Sequence, residues 1–368
     1  MIVLGWILFA FGLVRLAVGF VNWATKPYLP RNRMQPEPLP EVSVLIPARN
    51  EELNIGHLLQ DLGRERASIR EILVYDDHST DATAAIVRRF ARKNPLVRLL
   101  PAEPLPDGWL GKNHACHCLS REAAGRYLLF LDADVRIRGQ AVARALEYVQ
   151  RTGVELLSVF PHQLMPDPGT RLAVPLMNWI LLSLLPLEAV RRAPQEALCA
   201  ANGQFLFFEA ALYRTAQPHR KFRAAPVEDM AIACDYKRCG HPVAVLLGCE
   251  DVECTMYTSL GDAVAGFSKN FFSFFGGSEW LCYLFVIATT AAPAVIFLFL
   301  GTCPGLIYLV AIVLIRIFVS LASRQSVWMN VLLLVPQQLV LWRIVVNASV
   351  RKRKRRLLWK GRNIYIDR

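Results

Sequence analysis

The chain has 368 residues, is 54% hydrophobic and carries a formal net charge of +12. That length suits one full catalytic domain with additional segments, and only the middle of the chain reads as an ordinary soluble α/β protein, because the apolar excess gathers in the first two dozen residues and beyond residue 280. The densest basic run, Arg351-Lys352-Arg353-Lys354-Arg355-Arg356, directly follows an apolar stretch and is not interleaved with aromatics, which argues against a nucleic-acid partner and for an anionic bilayer surface.

Residues 1–24 read as a membrane anchor. Met1 to Val21 is long enough to span a bilayer, and a cleaved signal peptide is disfavoured because the positive start is missing and Arg15 interrupts the run. Lys26, Arg31 and Arg33 follow, so the positive-inside rule places the next domain in the cytoplasm. Nine cysteines without a Cys-x-x-Cys pair fit a reducing compartment. Residues 25–40, with Pro27, Pro30, Pro36, Pro38 and Pro40, form an extended linker.

Residues 41–266 alternate strand, loop and helix. Strands are expected at Val42–Ile46, Glu71–Tyr75, Val97–Leu100 and Tyr127–Leu131, with helices at Ile55–Leu62 and Asp81–Lys93. This order predicts a mostly parallel, Rossmann-like sheet with its ligands beyond the carboxyl ends of the strands. Within it, Arg171–Val190 is apolar but broken by Pro175 and Pro186; it is either a core element or a membrane-surface helix, and the surface is expected. Residues 267–350 are read as C-terminal membrane helices: Leu281–Leu300 and Leu306–Leu321 form a hairpin. A third full span would carry the basic tail, 351–368, outside. Met329–Val350 is therefore expected to be re-entrant or interfacial, broken at Pro336; the alternative is that the N-terminal segment does not span.

Chemistry collects at the strand ends. Asp132-x-Asp134 follows the apolar run Leu128–Leu131, and two carboxylates there can hold Mg2+ or Mn2+ shared with substrate phosphates. In Asp76-Asp77-His78-Ser79-Thr80-Asp81, Ser79 or Thr80 is expected to cap the following helix, while Asp76 and Asp77 are free to accept from a base imide or ribose hydroxyls. Glu228-Asp229 opens a helix, Met230–Arg238. A carboxylate there is either a cap or the general base that takes the proton from an attacking hydroxyl. Lys112, at the start of a helix over Asn113–Ala123, can meet a phosphate. Asn202-Gly203-Gln204 lines an acceptor or sugar pocket, or forms a tight turn. His114 and His117 with Cys116 and Cys118 lack the second cluster that a zinc site needs.

Four motifs in order, Pro47-Ala48-Arg49-Asn50-Glu51-Glu52, Asp76-Asp77-x-Ser79-x-Asp81, Asp132-x-Asp134 and Glu228-Asp229, resemble glycosyltransferase family 2, whose members share the GT-A fold. The resemblance covers about residues 41–260. It implies that Pro47, Arg49, Glu51 and Asp77 contact the nucleoside, that Asp132 and Asp134 face the diphosphate and metal, and that Asp229 is the base. Gly108-Trp109-Leu110-Gly111-Lys112 is similar to a stretch of carotenoid- and hopanoid-associated members. That narrower likeness extends to Met256-Tyr257, to Gly266–Asn270, and to Trp359-Lys360-Gly361-Arg362, where Trp359 and Arg362 would act as lids. No Gln-x-x-Arg-Trp motif follows Asp229, which disfavours polymer synthesis. The expectation is an inverting, metal-dependent transferase in the inner membrane, multi-pass, with its catalytic domain cytoplasmic. It would move a sugar from a nucleotide diphosphate, UDP by family analogy, to a lipid-like acceptor. The alternatives are transfer to polyprenyl phosphate and a non-catalytic sugar-nucleotide-binding scaffold.

Overall fold

The computed structural model describes residues 1–30, 41–65, 68–353, 358–359 and 362–363. In chain order α1 (Ile2–Thr25) is followed by β1 (Val42–Ala48), α2 (Ile55–Leu62), β2 (Ile69–Asp76), α3 (Thr83–Ala91) and β3 (Val97–Leu100). Next come α4 (Gly111–Glu122), β4 (Tyr127–Leu131), β5 (Val135–Ile137), α5 (Ala141–Thr152), β6 (Leu156–Phe160), β7 (His162–Gln163), α6 (Val174–Leu184) and α7 (Leu187–Arg192). The chain continues through β8 (Phe205–Glu209), α8 (Ala210–Ala216), α9 (Pro218–Lys221), α10 (Glu228–Arg238), β9 (Val243–Leu247), β10 (Val252–Cys254) and α11 (Leu260–Asn270). It ends with α12 (Glu279–Leu300), α13 (Thr302–Ala322), α14 (Val327–Leu332), α15 (Leu334–Arg353) and the short pair β11 (Leu358–Trp359) and β12 (Arg362–Asn363). Two compact units result.

The sheet unit takes Tyr28–Leu164 and Val190–Thr255, with β11 and β12. Seven strands lie in the order β3-β2-β1-β4-β8-β6-β9. β1 runs parallel to β2 and to β4, and β6 parallel to β9, whereas β8 is antiparallel to both β4 and β6. The sheet is therefore mostly parallel, as the alternating pattern predicts. β1, β2 and β4 are near-continuous apolar runs because helices cover both faces and leave no solvent side for polar alternation. Register pairs Ala48 with Asp76 and Leu45 with Phe130, so the carboxyl ends of β1, β2 and β4 lie side by side. β5, β10 and β7 form a second small sheet just after Asp134.

The helical unit takes Met1–Pro27, Met165–Ala189 and Met256–Leu357. α1, α12 and α13 are each long and apolar enough to cross a membrane. Glycines set their spacing: a Cβ at Gly5, Gly12 or Gly19 would meet Leu300, the Tyr308 ring (2.2 Å) or Val319. These successive contacts mean that α1 and α13 run parallel. α15 runs antiparallel to α12. Gln338 donates to Thr289 and Thr290 midway along α12, Tyr283 meets Ser349, and Lys352 pairs with Glu279 at its start (3.5 Å). α15 thus covers only about half of α12, and the chain breaks at Leu333 rather than at Pro336. Proline is tolerated there because the first turn of a helix has no intrahelical acceptor for its missing N–H. Lys26, Arg324, Arg351, Lys352 and Arg353 gather at one end, while the opposite end, Met1 and the α12–α13 turn, has no Lys or Arg.

One expectation fails. The apolar segment around Arg171–Val190 does not lie on a surface. α6 is mostly buried, and Trp179, Ile180 and Leu182 are at most 5% exposed. Asn22 of α1 fastens its end, donating to the carbonyls of Leu182 (2.8 Å) and Leu185 (2.9 Å) and accepting from Leu187 N–H (2.8 Å). The Leu182 carbonyl is the one that Pro186, which has no N–H, would otherwise leave unpartnered at the helix end.

Candidate active site

The loops after β1 and β2 are tied together by polar groups rather than capped separately. Ser79 Oγ accepts from Asn50 N–H (2.9 Å), Asn50 Oδ1 accepts from Thr80 N–H (2.9 Å), and Asp81 accepts from Glu52 N–H (3.1 Å). Ser79 and Thr80 therefore do not cap α3. Asp81, two residues before the start of α3, accepts from Thr83 N–H (3.0 Å), and despite the cost of burial this and its other hydrogen bonds hold its carboxyl below the usual value. Asn50 and His78 both sit at positive φ (53° each), the left-handed turn that lets each loop fold back over its strand end. The result is a platform. Arg49 donates to the Asp77 carbonyl (2.6 Å) and lies 3.7 Å from its carboxylate, and Glu51 accepts from Asn54 (2.9 Å). Pro47 ends β1 opposite Tyr75.

The loop after β4 carries Asp132 and Asp134. Asp134 is pushed up to about 6 by burial, then by the charges of Asp132 and Glu51, while the Cys254 thiol beside it and the Lys112 charge oppose the shift. Its Oδ1 is buried and has no hydrogen-bond partner among the described residues; the same holds for Asp76 Oδ1. An orphaned, buried carboxylate oxygen beside a second carboxylate is the donor set a hard divalent cation takes.

Lys112 joins the remaining parts. The Gly108 turn (φ 77°) leads into α4, whose start is clamped by Asn113 donating to the carbonyls of Phe222, Arg223 and Ala225 (3.0–3.1 Å). From there the Lys112 ammonium reaches Asp132 (2.8 Å) and the buried Glu228 (3.2 Å). Burial lowers its pKa, but these two carboxylates more than offset that and hold it well above its usual value. Asn202-Gly203-Gln204 is a tight junction into β8. Gly203 N–H donates to Asp229 Oδ2 (2.7 Å), its carbonyl lies 3.5 Å from Lys112 Nζ, and a Cβ there would come within 3.1 Å of that ammonium. Asp229, in the first turn of α10, also accepts from the N–H of its neighbour Met230 (2.8 Å), yet burial and then the Glu228 charge push it up to about 7. A carboxyl poised near neutrality is suited to proton transfer.

Asp132, Asp134, Lys112, Gly203, Glu228 and Asp229 thus form one cluster, and the charge of Glu51, which acts on Asp134, connects it to the Arg49–Asp77 platform. Asn202 bonds elsewhere: its carbonyl accepts from Ser158 Oγ (3.3 Å) and its Oδ1 from Gln204 N–H (2.9 Å). The side chains of Trp359 and Arg362 lie outside the described residues. Two participants were missed in the sequence. Cys254 accepts from Gln204 (2.9 Å) beside Asp134, and Gln163 donates to Gln204 (3.2 Å). Neither stands in a motif; only their strands' pairing brings them in. Among the described residues, three metal-ligating atoms within 4.8 Å of one another belong to Glu103, His114 and Cys118, not to the His117 and Cys116 of the same helix.

Residues 43–214 match the family described as Glycosyl transferase family 2. A 4,4'-diaponeurosporenoate glycosyltransferase of Staphylococcus haemolyticus is 26% identical over 259 residues, 70% of this chain and 64% of that protein. The Staphylococcus aureus protein of that name is 35% identical over 126 residues, 33% of this chain and 32% of its own. The match therefore spans just under two thirds of the first relative and about a third of the second. A mannosyltransferase from Pyrobaculum calidifontis, solved with GDP-Man and Mn2+, superposes with a TM-score of 0.53 at 17% identity, covering 95% of this chain and 98% of that one, which shows the GT-A fold.

Proposed function

Residues 43–214 of this chain belong to glycosyltransferase family 2, and on that premise we propose that the protein moves a sugar from a nucleoside diphosphate, UDP in the first instance, to a lipid-like acceptor with inversion. The observation that carries this reading is the Lys112 ammonium set between Asp132 and Glu228, with Gly203 handing the same cluster on to Asp229.

In this reading the Arg49–Asp77 platform and Glu51 seat the nucleoside. Asp134 and Asp132 would hold Mn2+ or Mg2+, which supplies charge neutralisation for the departing diphosphate. Lys112 lies beside Asp132 and adds a fixed positive charge on the same side. Glu228 anchors Lys112 from the protein interior and is a positioning residue. Asp229, held in place by two backbone N–H groups, takes the proton from the acceptor hydroxyl as the new bond forms; the elevated pKa lets it both accept and release that proton near neutral pH. The relatives named 4,4'-diaponeurosporenoate glycosyltransferase support an acceptor dissolved in the bilayer. The clustering of Lys26, Arg324 and Arg351–Arg353 at one end supports a cytoplasmic placement of that end, with 1–24 as anchor and 267–350 as membrane segments.

The test is transfer itself. Purified full-length protein is incubated with radiolabelled UDP-sugars, membrane lipid extract and Mn2+, and label is counted in the organic phase. Metal-dependent labelling is expected. Nucleotide binding without any lipid labelling would refute the reading in favour of a non-catalytic binding protein.

A further inference from the structure

The helical unit holds two guanidinium groups that sugar transfer does not use. Arg15 of α1 is 4% exposed and Arg316 of α13 2%. Both stand over the ring of Trp179 in α6, each 4.3 Å from its centroid, and Arg15 also faces Phe285 at 5.2 Å and Phe11 at 5.6 Å. Their hydrogen-bond acceptors are neutral. Ser183 Oγ accepts from Arg15 Nη2 (2.8 Å) and Nε (3.2 Å), and Gln337 Oε1 accepts from Arg316 Nη1 (2.8 Å). Gln337 is itself held by donating to the Arg171 carbonyl (2.9 Å) and Asn330 Oδ1 (3.1 Å), and Asn330 donates to Ser320 (2.8 Å) and Gln325 (3.2 Å).

The charge balance is the anomaly. α1, α6, α13, α14 and α15 contain no Asp or Glu, and the single carboxylate of α12, Glu279, is paired with Lys352. No ion pair among the described residues includes Arg15 or Arg316. Arg316 Nε is buried with no partner among the described residues, and no hydrogen bond among them involves Arg15 Nη1 or Arg316 Nη2. Burying a charge without a counter-ion is among the costliest arrangements a protein tolerates, and an ionisable side chain within a membrane segment marks a functional site by default. Aromatic faces offset part of that cost, but two like charges on one ring also repel each other. The planar fork of a guanidinium matches a carboxylate or phosphate. The surrounding helices are apolar, so an anion arriving on a hydrocarbon chain reaches the site far more readily than one that must leave water.

We infer that Arg15, Arg316 and Trp179 form a binding site for a lipid-borne oxyanion, a carboxylate or phosphate on a long apolar chain. This goes beyond the proposed function and stands independently of it.

The experiment uses the full chain in neutral detergent with radiolabelled oleate as probe and no sugar donor. Saturable binding is expected, at least tenfold tighter than oleyl alcohol measured by competition. Oleyl phosphate as competitor shows which oxyanion is preferred. Acetate and inorganic phosphate should not compete; if they match the lipid anions, the site takes free anions and the lipid inference is overturned. Arg316→Gln and Arg15→Gln should each weaken oleate at least tenfold and leave oleyl alcohol unchanged. Arg316→Met should melt no lower than the parent without lipid, because no internal counter-ion is lost; a clear drop makes the arginine a structural strut and overturns the site. Equal binding of acid and alcohol by the unaltered protein overturns it whether or not any variant folds. A protein that discriminates acid from alcohol but transfers no sugar sinks the proposed function and leaves this site standing.

Discussion

Replacing Asp229 by asparagine removes one charge and one proton acceptor while keeping an oxygen that accepts from the Gly203 amide. Two opposite effects follow. Without the base, turnover should fall by roughly 10²–10⁴-fold, the usual contribution of a positioned proton acceptor, with nucleotide affinity nearly unchanged. Stability should rise. Burial lifts Asp229 from an ordinary 3.8 to about 7. A carboxyl whose folded value is raised stabilises the native state fully below its unfolded pKa, and that contribution is lost as pH climbs to the folded value. A rise from 3.8 to about 7, at about 1.4 kcal/mol per tenfold, sets an upper bound of about 4 kcal/mol at pH 8, and residual exposure of this half-buried group screens the effect to about 1–2 kcal/mol. Asparagine never ionises, so Asp229→Asn should melt several degrees higher than the parent at pH 8 and nearly equally at pH 4. The assays are initial rates of lipid labelling, nucleotide titration, and thermal melts at both pH values. A variant that transfers sugar at the parental rate refutes the base assignment; one that melts lower at pH 8 refutes the claim that the buried charge strains the fold.

Four further outcomes follow from the same geometry. The rate at low substrate, kcat/KM, should fall tenfold per unit on acidification below about pH 7, because protonated Asp229 cannot take a proton; a flat profile down to pH 5 would contradict it. Lys112→Met leaves Asp132 and Glu228 without their shared cation, and donor KM should rise roughly 10- to 100-fold, matching the 1.5–3 kcal/mol of a charged hydrogen bond. Asp134→Ala should lose Mn2+-dependent nucleotide binding in calorimetry, by at least the roughly 10- to 100-fold that loss of an outer-shell partner costs. Gly12→Ala drives a Cβ toward the Tyr308 ring and should lower the melting temperature of the solubilised protein by an overpacking cost of about 1–3 kcal/mol, which Gly12→Ala with Tyr308→Ala should partly recover.

The legible part of this chain was whatever local pattern encodes. The run Leu128–Leu131 followed by Asp132-x-Asp134 announces a buried strand with carboxylates at its end, and that is where they lie. Strand direction has no such signature: β8 reads like its neighbours but runs antiparallel, because a fully buried strand is apolar on both faces whichever way it points. The Lys112 bridge was unreadable, since Asp132 and Glu228 lie 20 and 116 positions away from it and only tertiary packing joins them. Asp229 was ambiguous between cap and base because a carboxylate in the first turn of a helix suits either; in the fold it accepts from its neighbour Met230 N–H and from Gly203 N–H, 26 positions away, a contact that no local pattern encodes. α6 was misplaced because a helix apolar all round fits a bilayer surface and a bundle interior equally well. What fixes it in the interior is tertiary: the backbone carbonyls of Leu182 and Arg171 accept from Asn22 and Gln337.

The central claim is that one cluster brings a cation-holding carboxylate pair, Asp132 and Asp134, within working reach of the proton acceptor Asp229. The most direct measurement is single-turnover transfer from UDP-[14C]sugar to extracted lipid by the parent, Asp134→Ala and Asp229→Asn proteins, with donor occupancy measured in parallel. The account predicts labelled lipid only from the parent with metal, loss of donor occupancy in Asp134→Ala, and full occupancy without transfer in Asp229→Asn. Labelled lipid from either variant at the parental rate would contradict it.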